Sequence, residues 1–468
     1  MNEEHKENKF YLGIDIGSTK TCAIIGSKNE LGEIQIFGSG TSQSKGIKKG
    51  RISNIELASK SIREAVADAK RISGLNTTAA TVSISGSLVS QTQAKGVVNL
   101  VRNEITPQEV ERAIGAAIYN ADMPKDSKIL HEFAFNFIVD GETLVDDPSG
   151  MHGQKLAVSV NIFYTSNSNF INIKKTIQKS GLELDSIVLS SYASLLATKH
   201  NAVDEDVDGI ILLDLGGHTS NSLVSLSNAV QSIKCIPVGS ENLTSDLASA
   251  LKTSHDVASK IKLNHSSLFV EDANGSIQVG SVGDSSKNTI YELTYVQSIA
   301  YARIEEVIQI LLSDLNHKTN FEHIHSVLIT GGFSNVVGLR DLVQEFIPTI
   351  PVVSVSPKTN QTELDKPEFS VAVGLLHYAS KESANIDIPI VQVPEIIKNK
   401  KKVNQSKTTN LSDIKLPLGS EQQVHKGEYY PEEDKAFNPD ELFTSLASEV
   451  NKPISTWESL KGKFSSMF

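Results

Sequence analysis

At 468 residues the chain is long enough for two or more domains with sizeable cores. A hydrophobic fraction of 39% is slightly low for a wholly globular chain and points to a disordered portion, while a net charge of −11 argues against general nucleic-acid binding. Cys22 and Cys235 lie far apart in apolar contexts and read as buried thiols, no apolar run approaches the roughly 18 residues of a membrane span, and the polar N-terminus has no signal-peptide pattern.

Met1–Lys9 is charged and expected to be disordered. Phe10–Ile16 has the character of a buried strand, Gly17 and Ser18 open a tight turn, and Cys22–Ile25 resumes an apolar strand. Glu56–Ile72 carries Leu57, Ile62, Val66 and Ala69 at helical spacing and ends before Gly74. Ala80–Ser85 reads as a strand. Thr106–Asn120 is a helix whose Thr-Pro-Gln-Glu start places Pro at the first helical position and Glu at the third. Ile129–Val139 and Lys155–Thr165 are strands. Together these four segments form a strand–helix–strand–strand module, set ahead of the stretch Phe170–His200.

The second half repeats the opening pattern. Gly209–Leu215 is a strand, Gly216 and Gly217 turn it, and Ser222–Leu226 continues. Asp246–Lys262 is helical in pattern, and Ser267–Val270 and Ser276–Val279 flank Asn274-Gly275, a hairpin signal. Tyr295–Leu315 is a helix, and Val327–Ile329 is a strand leading to Gly331-Gly332. Asn385–Lys452 lacks periodicity, carries the basic run Lys398–Lys402, and reads as a flexible linker. Helical periodicity returns at Pro453.

Three glycine turns thus follow three apolar strands. In the first two, a strand–turn–strand hairpin aims consecutive N–H groups at one point, where they can cradle phosphate. Asp15 and Asp214 each precede a turn glycine by two residues, where a carboxylate can hold Mg²⁺ directly or through water. In the third, Gly331-Gly332 lets backbone approach a flat ligand. Each turn alone is weak evidence.

The ordered set resembles the phosphate-1, phosphate-2 and adenosine loops of the actin-like ATPase superfamily, over roughly Phe10–Ser380. The position of the module resembles that of domain 1C in the FtsA cell-division family. Further matches to that family are Ser85-Gly86-Ser87, Leu130-His131-Glu132, Asp147–Met151, Val238–Asp246 and the closing run Ala372–Tyr378.

The resemblance implies an α/β, actin-like, two-lobed fold with the inserted domain, followed by a disordered linker and a C-terminal amphipathic helix. It implies domain 1A over residues 10–80 and 165–200, 1C over 81–164, 2A over 201–240 and 305–380, and 2B over 241–304, with linker over 381–452. It implies ATP and Mg²⁺ between the lobes, held by Asp15, Gly17, Ser18, Thr19 and Lys20, by Asp214, Gly216, Gly217, His218 and Thr219, by Lys262, and by Gly331, Gly332 and Phe333, with Asp15 and Asp214 on the metal side.

The same resemblance implies a cell-division protein that forms actin-like filaments by head-to-tail self-assembly and ties the FtsZ ring to the cytoplasmic face of the inner membrane. The FtsZ C-terminal tail would bind domain 2B through Arg303 and, more weakly, Lys287. Later division proteins would bind domain 1C. An actin-like interaction protein of pilus assembly, similar to PilM, is the alternative; it normally lacks a long linker ending in an amphipathic helix.

Two departures from the phosphate-2 pattern bear on hydrolysis. His218 stands at a third glycine and Asn221 at a final aspartate, and Ser259 stands where relatives often carry Glu near the adenine. The Ser190–Ser194 connection offers hydroxyls but no obvious base, so weak ATPase activity at most is expected.

On a helical wheel at 100° per residue, Ile454, Trp457, Leu460, Phe464, Met467 and Phe468 fall within an arc of about 140°, flanked by Lys461 and Lys463. Apolar anchors flanked by lysines suit an anionic membrane surface. The alternative is a helix docked on the protein's own core.

Overall fold

The computed structural model describes residues 9–202, 209–270, 274–281, 284–313 and 321–382. The expected N-terminal disorder (residues 1–8), most of the linker and the whole C-terminal helix, with Ile454, Trp457, Leu460, Lys461, Lys463, Phe464, Met467 and Phe468, lie outside the described residues.

Two five-stranded sheets share one topology. In the first, the strands run in the order Glu183–Leu189, Ala79–Ile84, Tyr11–Ile16, Lys20–Lys28, Ile34–Gln43. Tyr11–Ile16 pairs antiparallel with Lys20–Lys28 on one side and parallel with Ala79–Ile84 on the other. The second sheet orders Val352–Ser354, Ser326–Thr330, Ile210–Leu215, Ser220–Leu226, Ala229–Ile236, with the same parallel and antiparallel sides around Ile210–Leu215. Each glycine turn therefore leaves the carboxyl end of a central strand, where open α/β sheets place ligands. Every residue of Ile210–Leu215 is buried, as a continuous apolar run covered on both faces requires.

The first helix, Ile55–Ser73, starts where Asn54 Oδ1 accepts the Leu57 N–H at 3.0 Å and stops at Gly74 (φ 70°). Its Ala58, Ile62, Ala65 and Ala69 are buried, the last three in a core with Leu12, Ile14 and Ile25 of the first sheet. The closing helix, Ser370–Glu382, lays Ala372, Val373 and Leu376 against Cys22 and Ile24 on that sheet's other face, and continues two residues into the stretch expected to be linker. Beside it runs Ser190–Ala202. The second core gathers Ile211, Leu213 and Leu215 with Leu243, Leu247, Ile304 and Ile308.

The inserted module differs from expectation at its first strand. Ala79–Ile84 belongs to the first sheet, and the module opens instead on Ser90–Asn99, which pairs with Lys155–Ser166. Ser90–Asn99 buries only small or branched residues on one face, Ala94, Gly96 and Val98, amid polar ones, so its sequence signal is weak. Lys155–Ser166 pairs in turn with Ser127–Val139, and the helix Pro107–Asn120 covers the sheet with Val110, Ala113, Ile114 and Ala117. Thr106 caps that helix as expected, its Oγ1 accepting the Glu109 N–H at 3.4 Å.

Two further segments depart from the sequence reading. Asp246–Lys262 is not one helix but parts of two, Ser240–Ala250 and His255–His265. Lys252 adopts positive φ (50°) and Ser254 recaps the chain, while Leu243, Leu247, Ala258 and Ile261 face one core, so the periodicity continues across the break. The hairpin pairs Ser276–Ser281 with Asp284–Glu292, a polar strand without alternation, whereas Ser267 bridges Val337 instead. Asn274-Gly275 precedes the hairpin, with the Gly275 carbonyl accepting the N–H of Leu293 at 3.0 Å at the start of the helix Leu293–Ser313.

Candidate functional site

The first turn is held by hydroxyls. Ser44 Oγ donates to the Gly17 carbonyl at 2.6 Å, and Ser18 Oγ accepts the Gly50 N–H at 2.9 Å. Asp15 Oδ1 accepts from Ser83 Oγ at 2.9 Å, and the same hydroxyl accepts the Ile16 N–H at 2.8 Å. Desolvation holds the Asp15 carboxyl above the usual carboxylate range, against the pull of Ser83 and Lys20. Lys20 rests its ammonium 3.6 Å from the centroid of the Phe369 ring, and burial pushes it below the ordinary lysine value.

The second turn is pinned from behind. Ser240 and Glu241, at the start of Ser240–Ala250, donate their N–H groups to the Gly216 and Gly217 carbonyls at 3.1 and 2.8 Å. Gly216 N–H closes the turn on the Thr219 carbonyl at 2.9 Å. Asp214 is buried and accepts from Ser194 Oγ at 3.2 Å. Burial and the nearby Asp15 carboxylate push Asp214 up to about 6. A Cβ added at Gly217 would lie 2.4 Å from Thr19 Cγ2, so the two turns touch across the lobes.

The third turn meets the second. Gly331 takes φ 90°, and a Cβ there would lie 2.4 Å from the Leu215 carbonyl oxygen and 2.7 Å from Asp214 Oδ1, so only glycine fits. Gly332 begins a short 3₁₀ turn, Gly332–Asn335. Phe333 is 4% exposed and packs in the second core, so its backbone rather than its ring is what the turn presents.

The structure therefore brings Asp15, Gly17, Ser18 and Thr19 together with Asp214, Gly216, Gly217 and Gly331. Lys262 sits behind the second turn, donating to Glu241 Oε1 at 3.1 Å and the Ser240 carbonyl at 3.2 Å. Arg303 lies apart, its guanidinium donating to both Asp246 oxygens at 2.6 and 3.0 Å and to Glu306. Burial works against its charge, but the two carboxylates outweigh it and hold Arg303 above its ordinary value. Lys287 is on the strand Asp284–Glu292, with its side chain outside the described residues. Sequence reasoning missed Ser44, Ser83 and Phe369, and saw Ser194 only as one hydroxyl of the Ser190–Ser194 connection; all four reach the turns through tertiary contact.

The donor set suits a phosphate-bearing ligand with a divalent cation. Asp15 and Asp214 are two crowded carboxyls with raised proton affinity, a state that a cation would relieve. His218 Nδ1 and Asn221 Oδ1 are buried beside the second turn without hydrogen-bond partners among the described residues. Burial lowers the His218 pKa, so its imidazole is held neutral. Among the described residues no group of three or more His, Cys, Asp or Glu could hold a metal by itself, so a cation at Asp15 and Asp214 would need ligand oxygens as well.

Residues 86–164 match the family model described as the SHS2 domain inserted in FTSA, and residues 211–374 match that of the cell division protein FtsA. The chain is 31% identical to the cell division protein FtsA of Helicobacter pylori strain J99, over 96% of this chain and 99% of that one. The chain belongs to the FtsA family. FtsA of Pseudomonas aeruginosa is 29% identical over 81% of this chain and 91% of its own, and FtsA of Bacillus subtilis 28% over 80% and 84%. Among solved structures, the PilM-PilN type IV pilus biogenesis complex covers 79% of this chain and 98% of its own at a TM-score of 0.55 and 14% identity. MreB5 of Spiroplasma citri bound to ADP covers 81% and 99% at 0.50 and 10%. These likenesses establish the actin-like fold, while membership of the FtsA family makes this a cell-division protein.

Proposed function

We propose that the chain binds Mg²⁺-ATP between its lobes, assembles head-to-tail into actin-like filaments, and tethers the FtsZ ring to the cytoplasmic face of the inner membrane at the division septum. The observation that carries the nucleotide part is the contact of the two glycine turns at Thr19 and Gly217, above the Asp15 and Asp214 carboxyls. Turn N–H groups of Gly17–Lys20 and Gly217–Thr219 would bind the phosphates, the Gly216 N–H being used to close its own turn. Asp15 and Asp214 would hold Mg²⁺, which supplies charge neutralisation at the phosphate oxygens. Gly331 and Gly332 would leave room for adenosine. Burial lowers the proton affinity of His218 and Asn221 offers no carboxylate to orient it or to accept a proton, which supports weak turnover at most.

In this reading the module is domain 1C, meeting the next subunit and later division proteins, and the Glu241–Ile304 region is domain 2B, receiving the acidic FtsZ tail near Arg303 and Lys287. The Pro453–Phe468 helix is the membrane anchor. Among the described residues no helix is long and apolar enough to cross a membrane. A single copy should bind reversibly and a filament of many copies avidly. Co-sedimentation with anionic liposomes, with and without Mg²⁺-ATP and FtsZ, tests the whole reading. Deleting Pro453–Phe468 should release the protein from liposomes and leave calorimetric ATP binding unchanged; full co-sedimentation by the truncated protein refutes the anchor.

A further inference from the structure

A second feature reaches the phosphate end of the site from a direction the three glycine turns do not cover. Ile47–Lys48 pairs antiparallel with Arg51–Ile52, closing a hairpin whose two central residues are Lys49 and Gly50. Both take positive φ, 49° and 76°. A two-residue hairpin turn of this hand favours Asn, Asp or Gly at its first centre, and lysine there is a local cost of about 1 kcal/mol or more. Such local violations concentrate where function requires them.

The hairpin is clamped at three points. Ile47 is buried beneath it. The Gly50 N–H donates to Ser18 Oγ of the first glycine turn at 2.9 Å, and the Lys49 carbonyl accepts from Ser87 Oγ at 3.1 Å. The Ser85–Ser87 turn in its turn leans on the second lobe, since a Cβ at Gly86 would lie 2.8 Å from Asn221 Oδ1 and 3.0 Å from Cys235 Cβ. The hairpin tip is thus fixed at the mouth of the cleft where first-lobe and second-lobe turns meet. The positive field of Lys49 reaches His218 on the opposing turn.

Two other lysines near the site are engaged. Lys20 rests on Phe369 and Lys262 is paired with Glu241. Lys49 is exposed and has no ion-pair partner among the described residues. The backbone of the clamped tip therefore holds an exposed ammonium near the lobe junction, on the His218 side of the second turn.

We propose that Lys49, presented by the clamped hairpin tip, is a ligand for the terminal phosphate and lets the protein distinguish nucleoside triphosphate from diphosphate. The inference rests on the nucleotide reading above. Isothermal titration of the full chain with Mg²⁺-ATP and Mg²⁺-ADP tests it, using Lys49→Ala and, as a control on the same hairpin, Lys48→Ala, with circular dichroism to verify folding. Lys49→Ala should weaken ATP about tenfold, which is about 1.4 kcal/mol, and leave ADP within about twofold. Lys48→Ala should change neither. Equal losses for both nucleotides, no loss in Lys49→Ala, or the same ATP-selective loss in Lys48→Ala overturns the assignment of Lys49. Failure of the wild-type chain to bind either nucleotide overturns the nucleotide reading itself.

Discussion

His131 of the inserted module accepts, through Nε2, the backbone N–H of Leu189 at 3.0 Å. The bond crosses from the module to the last strand residue before Ser190–Ala202, the helix whose Ser194 holds Asp214. Around it, the His131 ring meets Phe133, Tyr192 and Tyr378 at centroid distances of 6.0, 5.3 and 5.7 Å. The module therefore shares a packed aromatic junction with a helix that lines the candidate site.

Complete burial pushes His131 down to about 4, so the native state holds it neutral while the unfolded chain would protonate near 6.5. Because the folded pKa is lowered, the unfolded state binds more protons between these values. Stability contributed by neutral His131 is present above about 6.5 and is lost as pH falls toward 4, by an amount on the order of 3 kcal/mol. His131→Gln keeps an acceptor for Leu189 and removes the titration. Denaturant unfolding at a series of pH values should show a shallower acid slope for that variant than for wild type; identical slopes would contradict it.

The contact of Thr19 with Gly217 predicts an epistatic pair. Gly217→Ala places a methyl 2.4 Å from Thr19 Cγ2 and should force the turns apart, at the roughly 1–3 kcal/mol typical of overpacking. Thr19→Ser removes that methyl and should recover most of the loss. A double-mutant cycle on unfolding free energy reads the coupling directly. Additive effects would show that the turns do not press on each other.

Asp214 predicts opposite effects on the free and loaded protein. Asp214→Asn removes one of two repelling carboxyls and keeps an acceptor for Ser194, so the nucleotide-free chain should melt no lower than wild type. If Asp214 serves Mg²⁺, the variant should lose the magnesium-dependent share of ATP stabilisation. For wild type that stabilisation is about 2.7 kcal/mol when ligand is at a hundredfold excess over Kd. Thermal melts with ATP, with and without Mg²⁺, separate the two outcomes.

Arg303 needs a charge swap, since a single reversal is ambiguous. Arg303→Glu would leave three carboxylates together at Asp246 and Glu306, costing about 1.5–3 kcal/mol for the lost charged hydrogen bonds. Loss of FtsZ binding would then follow from damage alone. Arg303→Asp combined with Asp246→Arg should regain much of the stability. Continued failure to bind an FtsZ tail peptide in the swapped, folded variant would support a direct role; recovered binding would make Arg303 purely structural.

The sequence by itself determined the repeated half. A buried strand flanked by glycine writes its identity locally, in β-branched residues and a turn that few other residues can make, so Tyr11–Ile16, Ile210–Leu215 and Ser326–Thr330 were legible with their turns. The Pro107–Asn120 helix was legible for the same reason, because its cap and proline are neighbours in sequence. What only tertiary structure decided was pairing and direction. Ala79–Ile84 joins the first sheet because Leu12 and Val82 bury one core together, a fact its own residues do not carry. The resemblance puts Phe333 beside the adenosine, but that its ring packs in the second core is a matter of long-range burial that no local pattern carries. Lys20 reached Phe369, Arg303 reached Asp246 and Lys49 came to stand beside Ser87, each across a chain separation that local pattern cannot see. Backbone turns are short-range objects; the charges that serve them are placed by the packing of the lobes.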